Sequence, residues 1–386
     1  MPQAVTAIVP RAQRIVRRDP VLTIAAVLAV ASCALVPPDA GYADYVDFRT
    51  LGLLFSLMTV MAGLSRAGVF SAAGRALLAR TRSGVGAIMA LVLLPFVASM
   101  LVTNDVSLIA FVPFALLVLH MLGLEGASVF TVVMMTIAAN LGSMLTPIGN
   151  PQNLYLFSAS GMGVGEFLLL MLPYAAASGA LLVASVLLYG ARHGGLPVSS
   201  DAGEKDLEPQ EAHIRRRTLA PWVALFALSL LAVARVVPVV LLAPVVAVAA
   251  LLVDRTALAE VDFGLLLTFV AFFVFVGNVG RLDAVSNLLA SLVGGNELAV
   301  SVAASQVVSN VPAALLLSGF SSAWPALIVG TNLGGLGTLI ASMASLISYK
   351  QVVEADPAAA GRYLARFTLA NVAFLAVLVA LALILM

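Results

Sequence analysis

Between residues 138 and 155 the chain reads AANLGSMLTPIGNPQNLY, an apolar segment that carries Asn140, Asn150, Gln152 and Asn153 among two Gly and two Pro. These side chains bind solutes by hydrogen bonding and cations through carbonyl oxygens, and they include no nucleophile paired with a base. In a bilayer interior an unpaired amide or backbone group is costly, so irregular polar backbone survives there only where it lines a cavity or holds something. Pro147 cannot continue a helix and restricts Thr146 before it, so a helix arriving from 127 is predicted to break near 145. A second half-helix restarts at Asn150-Pro151, with Asn at the cap and Pro at the first helical position. Such a break turns the orphan carbonyls of one half and the orphan N–H groups of the other toward one gap. The first suits a cation and the second an anion. Gly142 and Gly149 let the backbone approach a ligand.

The same pattern returns at 331–346, TNLGGLGTLIASMASL. At an offset of 192, Asn140, Leu141, Gly142, Thr146, Ile148 and Leu154 meet Asn332, Leu333, Gly334, Thr338, Ile340 and Leu346, while Asn150 and Asn153 meet Ser342 and Ser345. Two polar triplets, Thr103-Asn104-Asp105 and Ser309-Asn310-Val311, interrupt the apolar regions 84–122 and 298–320 and read as tips of helical hairpins. The candidate solute-binding residues are Thr103, Asn104, Asn150, Gln152, Asn153, Ser309, Asn310, Thr338, Ser342 and Ser345. The candidate cation-coupling residues are Asp105, Asn140, Gly142, Thr146, Asn332 and Gly334, with Na+ contacts at Asn104, Asn140, Asn310 and Asn332. Asp105 is the only carboxylate at a tip. It reads either as a coupling group for Na+ or H+ or as a cap for the helix from 106. Gln152 and Asn153 read alternatively as hydrogen-bonding glue between helices. Gly334, Gly335 and Gly337 read alternatively as close-packing contacts.

The elements that must hold these residues are membrane helices. Of 386 residues 62% are hydrophobic and only 10% charged, with mean hydropathy +1.08, outside the range of soluble domains. Nine apolar runs are long enough to span: 20–36, 50–70, 127–157, 166–190, 219–235, 237–253, 262–281, 323–348 and 363–386. The second hairpin has arms of roughly ten residues, about 15 Å, too short to cross, so it is predicted to be re-entrant. The first has longer arms, and two full spans remain open there. Amphipathic pieces at 71–82 and 284–293 precede the hairpins. The polar stretch 192–217 reads as a linker between halves, 1–191 and 218–386. Asp47-Phe48 recurs as Asp262-Phe263, and the equivalent helices start from opposite faces. The fold class is therefore an all-α polytopic membrane protein of two inverted repeats, with about nine full spans, two re-entrant hairpins and two interrupted helices. All but three of the twenty Lys and Arg, the exceptions being Arg49, Arg235 and Arg281, fall on one side. That side, which holds Arg11, Arg14, Arg17 and Arg18, reads as cytoplasmic, with the C-terminus outside a cell inner membrane.

Several classes are excluded. Cys33 stands alone, so no internal disulfide forms. The three His show no metal spacing, no nucleotide-binding motif supplies energy, and a net charge of +1 invites no nucleic acid. The chain reads as no enzyme, with no cofactor beyond a coupling ion.

VTNDVSLIAFVPFALL at 102–117, ANLGSMLTPIGNPQN at 139–153, SNVPAALLL at 309–317 and TNLGGLGTLIASMASL at 331–346 resemble the ion transporter superfamily. That group holds the citrate transporter-like symporters of divalent anions and sodium, arsenite efflux permeases and certain sodium/proton antiporters. The resemblance implies a homodimer and elevator-type movement of the hairpins against a scaffold. In the dicarboxylate branch both tips read Ser-Asn-Thr, and the third hydroxyl is missing here from both. The Asn-Asp and Asn-Val-Pro tips look closer to the arsenite permease branch. The expected function is cation-coupled secondary transport of a small carboxylate or oxyanion. The alternatives are arsenite or antimonite efflux, Na+/H+ exchange and, from another class, a passive anion channel.

Overall fold

A computed structural model describes residues 20–78, 83–196 and 216–386. The N-terminal arginines, Arg80, Arg82 and nearly all of the 192–217 linker lie outside the described residues. Helix α1 (Pro20–Leu35) leads to α2 (Phe48–Arg66), whose first turn is capped by the Asp47 carboxylate accepting from Thr50 N at 3.0 Å. The amphipathic α3 (Val69–Leu78) precedes a first hairpin of α4 (Gly84–Ala98) and α5 (Asn104–Met121). Then come α6 (Ser128–Ser143), α7 (Pro151–Ser160) and the long α8 (Val164–Arg192). After the linker, α9 (Arg216–Val233) and α10 (Val239–Val253) lead to α11 (Phe263–Gly280), which Asp262 caps as Asp47 caps α2. The amphipathic α12 (Asp283–Val293), the second hairpin of α13 (Glu297–Val308) and α14 (Asn310–Leu317), and the pair α15 (Trp324–Leu333) and α16 (Met343–Ala355) follow, before the terminal α17 (Ala360–Leu385).

The protein is all-helical, with no strand among the described residues. Six described helices are long and apolar enough to cross a bilayer: α2, α5, α6, α8, α11 and α17. The bent pair α12–α13, at 107°, would make a seventh. The rest of the nine apolar runs are carried by shorter helices. The apolar segments of α1, α4, α9 and α10 are shorter helices, Pro37-Pro38 following the end of α1 and Pro238 preceding the start of α10, and the runs 127–157 and 323–348 are each interrupted, forming two helices. In the first hairpin α5 has spanning length and α4 does not. In the second, arms of 12 and 8 residues are about 18 and 12 Å long, well short of a core about 30 Å thick.

Helix α6 is the centre of the packing. Nearly every residue in it is buried, between α4, α5, α8, α16 and α17. A second group forms around α2, which packs on α9 and α10, and around α11, which packs on α1. Ion pairs tie this group together. Arg66, at the end of α2, reaches Asp254 at 2.8 Å and Glu260 at 2.9 Å, and Arg281, at the end of α11, reaches Asp39 at 2.6 Å. The Arg66 guanidinium, helped by a hydrogen bond from Thr256, pulls the Asp254 carboxyl down from an ordinary 3.8 to about 2. A depressed carboxyl contributes stability above its unfolded value that is lost as pH falls through the folded one. The partly exposed pair is screened, so the contribution is about 1 kcal/mol. Comparing unfolding midpoints of the parent chain and Asp254→Asn should show a gap at neutral pH that closes between about pH 4 and 2.

Candidate solute site at two helix breaks and two hairpin tips

Helix α6 stops at Ser143, and residues 144–150 form the first break. Pro147 forbids a further turn, and Asn150 lies extended (φ −142°, ψ 148°) before Pro151 opens α7. The Asn150 side chain does not cap that helix, and its Oδ1 is buried without a hydrogen bond. Asn153, one turn into α7, reaches back across the break. Its Nδ2 lies 3.3 Å from Ser143 O, 3.4 Å from Met144 O and 3.2 Å from Thr146 O, satisfying carbonyls that the end of α6 leaves open. Thr146 donates its hydroxyl to Met100 O at 2.5 Å, fastening the break to the first hairpin.

The second break joins α15 to α16 through residues 334–342, with Ser342 extended (φ −142°, ψ 133°) before Met343. Here the stitch comes from Gln306, on α13, which sequence reasoning missed. Its Nε2 donates at 2.8 Å to both Gly334 O and Leu336 O, and its Oε1 accepts from Thr338 N at 2.9 Å. Gln306 stands four residues before Asn310, and that spacing is the one signal that could have found it.

Each tip docks onto a break through its own backbone. Asn104 N donates to Gly149 O at 3.3 Å and Asn310 N to Ala341 O at 3.0 Å. Asn104 Nδ2 then donates to Asn140 Oδ1 at 2.9 Å, and its Oδ1 accepts from Asp105 N at 3.0 Å. Asp105 is not a cap. The helix begins at Asn104 behind Thr103, and Asp105 Oδ1 is buried without a partner. Ser309, the single residue between α13 and α14, has φ 74° and ψ 157°, a region that glycine alone occupies easily. Its hydroxyl donates to Ala341 O at 3.3 Å and to Asn310 Oδ1 at 3.4 Å. Ser309→Gly should therefore raise thermal stability by about 1 kcal/mol. Transport by the stabilised variant should fall, because the hydroxyl is gone.

The two breaks meet. Asn140 Oδ1 also accepts from Ser342 Oγ at 3.0 Å, and Asn140 Nδ2 faces Ser345 Oγ at 3.4 Å. Asn332 Nδ2 donates to Asn153 Oδ1 at 2.6 Å, while Asn332 Oδ1 is buried and free of hydrogen bonds. Asn104, Asn140, Ser342 and Ser345 thus form one bonded group and Asn153 with Asn332 another, all at 5% exposure or less. Gln152 is as deeply buried, with Nε2 unpartnered. Thr338 is not brought in. It is exposed, and its hydroxyl is held by Gln306 O at 3.1 Å. Thr103 is half-buried at its tip. Gly142 and Gly334 are pressed against the first arms of their hairpins, where a Cβ would lie 2.0 Å from Phe96 O and 2.6 Å from Ser305 Oγ. Glycine at both is a packing requirement.

A multi-pass membrane protein whose buried polar groups sit at helix breaks, with donors and acceptors left over, is built as a membrane transporter. The chain belongs to the citrate transporter family, which it matches over residues 6–323. An uncharacterized transporter of Methanocaldococcus jannaschii is 30% identical over 308 residues, 79% of this chain and 81% of the relative. The inner membrane protein YbiR of Escherichia coli is 30% identical over 308 residues, 79% of this chain and 80% of the relative. The silicon efflux transporter LSI3 of Oryza sativa is 37% identical over 139 residues, 36% of this chain and 28% of the relative. The family is one of transporters, not enzymes.

Proposed function

We propose that the protein is a cation-coupled secondary transporter of a small anion, a carboxylate or oxyanion, working by elevator-type alternating access between two inverted repeats. The observation that carries this reading is the reciprocal bonding of the breaks: Asn140 of the first half faces Ser345 of the second, and Asn332 of the second donates to Asn153 of the first. Positions that align at the 192-residue offset exchange partners, as a two-fold relation requires. Further pairs support the repeat. Thr146 with Met100 O and Thr338 with Gln306 O are one contact made twice, as are Asn104 with Gly149 and Asn310 with Ala341. Arg66–Asp254 and Arg281–Asp39 are both displaced by 215 residues, and each crosses between halves. The hairpins with their broken helices form the moving part, and the group around α2 and α11 forms the scaffold of a homodimer. The cation-rich face is cytoplasmic, with the N-terminus inside and the C-terminus outside.

The partnerless oxygens of Asp105, Asn150 and Asn332 suit a coupling cation, Na+ or H+, and the free Gln152 N–H suits the solute. The test is flux in proteoliposomes of labelled carboxylates, arsenite and phosphate under imposed Na+ or H+ gradients, with Asp105→Asn alongside. Gradient-driven accumulation that Asp105→Asn uncouples is the expected result. Flux that is linear in concentration and indifferent to either gradient would sink the carrier reading in favour of a channel. Efflux of a weakly acidic hydroxide solute is the second reading, favoured by the match to a silicon efflux transporter and by the missing tip hydroxyls.

A further inference from the structure

The topology read from the sequence puts Arg49, Arg235 and Arg281 on the cation-poor face, and they are not equally neutralised. Arg281 is held by both oxygens of Asp39, at 2.6 and 3.3 Å. Arg49 and Arg235, 186 residues apart in sequence, line one cavity of about 420 Å³ between the starts of α2 and α10. Among the described residues neither has a carboxylate within ion-pairing distance, and Arg49 Nε is buried with no hydrogen-bond partner. The charges that Arg49 feels are Arg235, of like sign, and Asp47. Asp47 is already committed to Thr50, whose N and Oγ1 it accepts at 3.0 and 2.5 Å. The N-terminus of α10 opens on the same cavity behind Pro238, with no side chain capping its free N–H groups.

Two like charges beside a buried, partnerless donor call for an anion between them. Arg235 is also held in a strained backbone, at φ 65°, a conformation that side chains other than glycine's adopt at a cost. Its guanidinium is aimed by Nη1 donating to Gly161 O at 3.0 Å and by stacking over the Phe157 ring at 5.7 Å. The remaining wall is apolar and open sideways: Phe48 is 69% exposed, Val236 68% and Val240 82%. On a membrane protein such a wall faces acyl chains. A free oxyanion would gain nothing from it, whereas a lipid phosphate brings the chains that cover it. Two guanidiniums less the Asp47 carboxylate leave one positive charge, which a phosphodiester monoanion balances.

We infer that the groove between Arg49 and Arg235 binds the phosphodiester of an anionic phospholipid, with its acyl chains along Val236 and Val240. Because Arg235 also holds the end of α7, the lipid sits where the first broken helix meets the α2–α10 group. The site does not depend on which solute is carried.

The test uses the full chain reconstituted in phosphatidylcholine bilayers with and without phosphatidylglycerol, and reads the melting temperature. Phosphatidylglycerol should raise it by about 3 °C. Arg49→Gln/Arg235→Gln should melt somewhat lower than the parent in phosphatidylcholine, having lost the Gly161 and Phe157 contacts, and gain nothing from the anionic lipid. Should that variant not fold, Val240→Trp keeps both arginines, alters an exposed side chain and should shrink the response by obstructing the chains. The inference is overturned by a parent chain indifferent to phosphatidylglycerol. It is equally overturned by a full response in either variant, or by inorganic phosphate in detergent reproducing the shift.

Discussion

Asn140→Ala reconstitutes into vesicles as a folded protein and moves solute at least about a hundredfold more slowly than the parent, as the loss of two or more buried hydrogen bonds at the transport step implies. Among the described residues Asn140 is the one side chain hydrogen-bonded to a hairpin tip and the opposite break together. It accepts from Asn104 at 2.9 Å and Ser342 at 3.0 Å and faces Ser345 at 3.4 Å. Truncation leaves the Asn104 amide and two hydroxyls unpartnered in the interior, at about 1–3 kcal/mol each if they find no substitute. Hydroxyls reorient to a helix carbonyl at little cost, so the stability loss stays at the lower end of that range. The coordination between the halves has no substitute. Asn371→Ala supplies the control, since Asn371 is also fully buried, on α17, and its amide serves only Phe367 O at 2.9 Å. That variant should lose stability without losing transport per folded molecule. Equal losses in the two, normalised to folded protein, would reduce Asn140 to ordinary core packing.

The breaks were legible because the chemistry that makes them is local. Pro147 stops a helix whatever surrounds it, and Asn150-Pro151 starts one, so both boundaries fall within two residues of expectation. The tips were legible for a similar reason, as polar triplets in apolar runs. What escaped depends on tertiary partners. Gln306 aligns with Met100, whose side chain does no comparable bonding, so the repeat concealed it. Thr338 aligns with Thr146 but is exposed, because the second break is closed by Gln306 and is looser, with Gly337 at φ 106°. Span count is less directly legible, because hydropathy measures the length of an apolar run, whereas crossing requires helical length. Proline and broken helices separate the two.

The glycines show the same limit and yield the sharpest stability test. Sequence alone cannot separate a glycine that admits a ligand from one that admits a helix, since both need the space a Cβ would fill. Gly142 and Gly334 admit helices, but against different obstacles. At Gly142 the added carbon would stand 2.0 Å from Phe96 O and 2.8 Å from its carbonyl carbon, inside the backbone of α4. Removing the Ser99 hydroxyl, 2.6 Å away, leaves that clash intact. Helices α4 and α6 must separate, and Gly142→Ala should cost about 3 kcal/mol or more, with no recovery in Ser99→Gly/Gly142→Ala. At Gly334 the obstacles are the Ser305 Oγ at 2.6 Å and Cβ at 2.7 Å, and Ser305→Gly removes both. The remaining neighbour, Gly330 O at 2.9 Å, belongs to the preceding turn of the same helix. Ser305→Gly/Gly334→Ala should therefore recover most of what Gly334→Ala loses. Thermal unfolding of the four variants decides it: rescue at Gly142 would mean that the α4 backbone is not what forbids a side chain there, and no rescue at Gly334 would mean that the Ser305 side chain is not. Both contacts lie between a hairpin arm and its own broken helix, so the prediction also bears on movement. On the proposed elevator reading, a hairpin packed this closely against its own broken helix travels with it as one body.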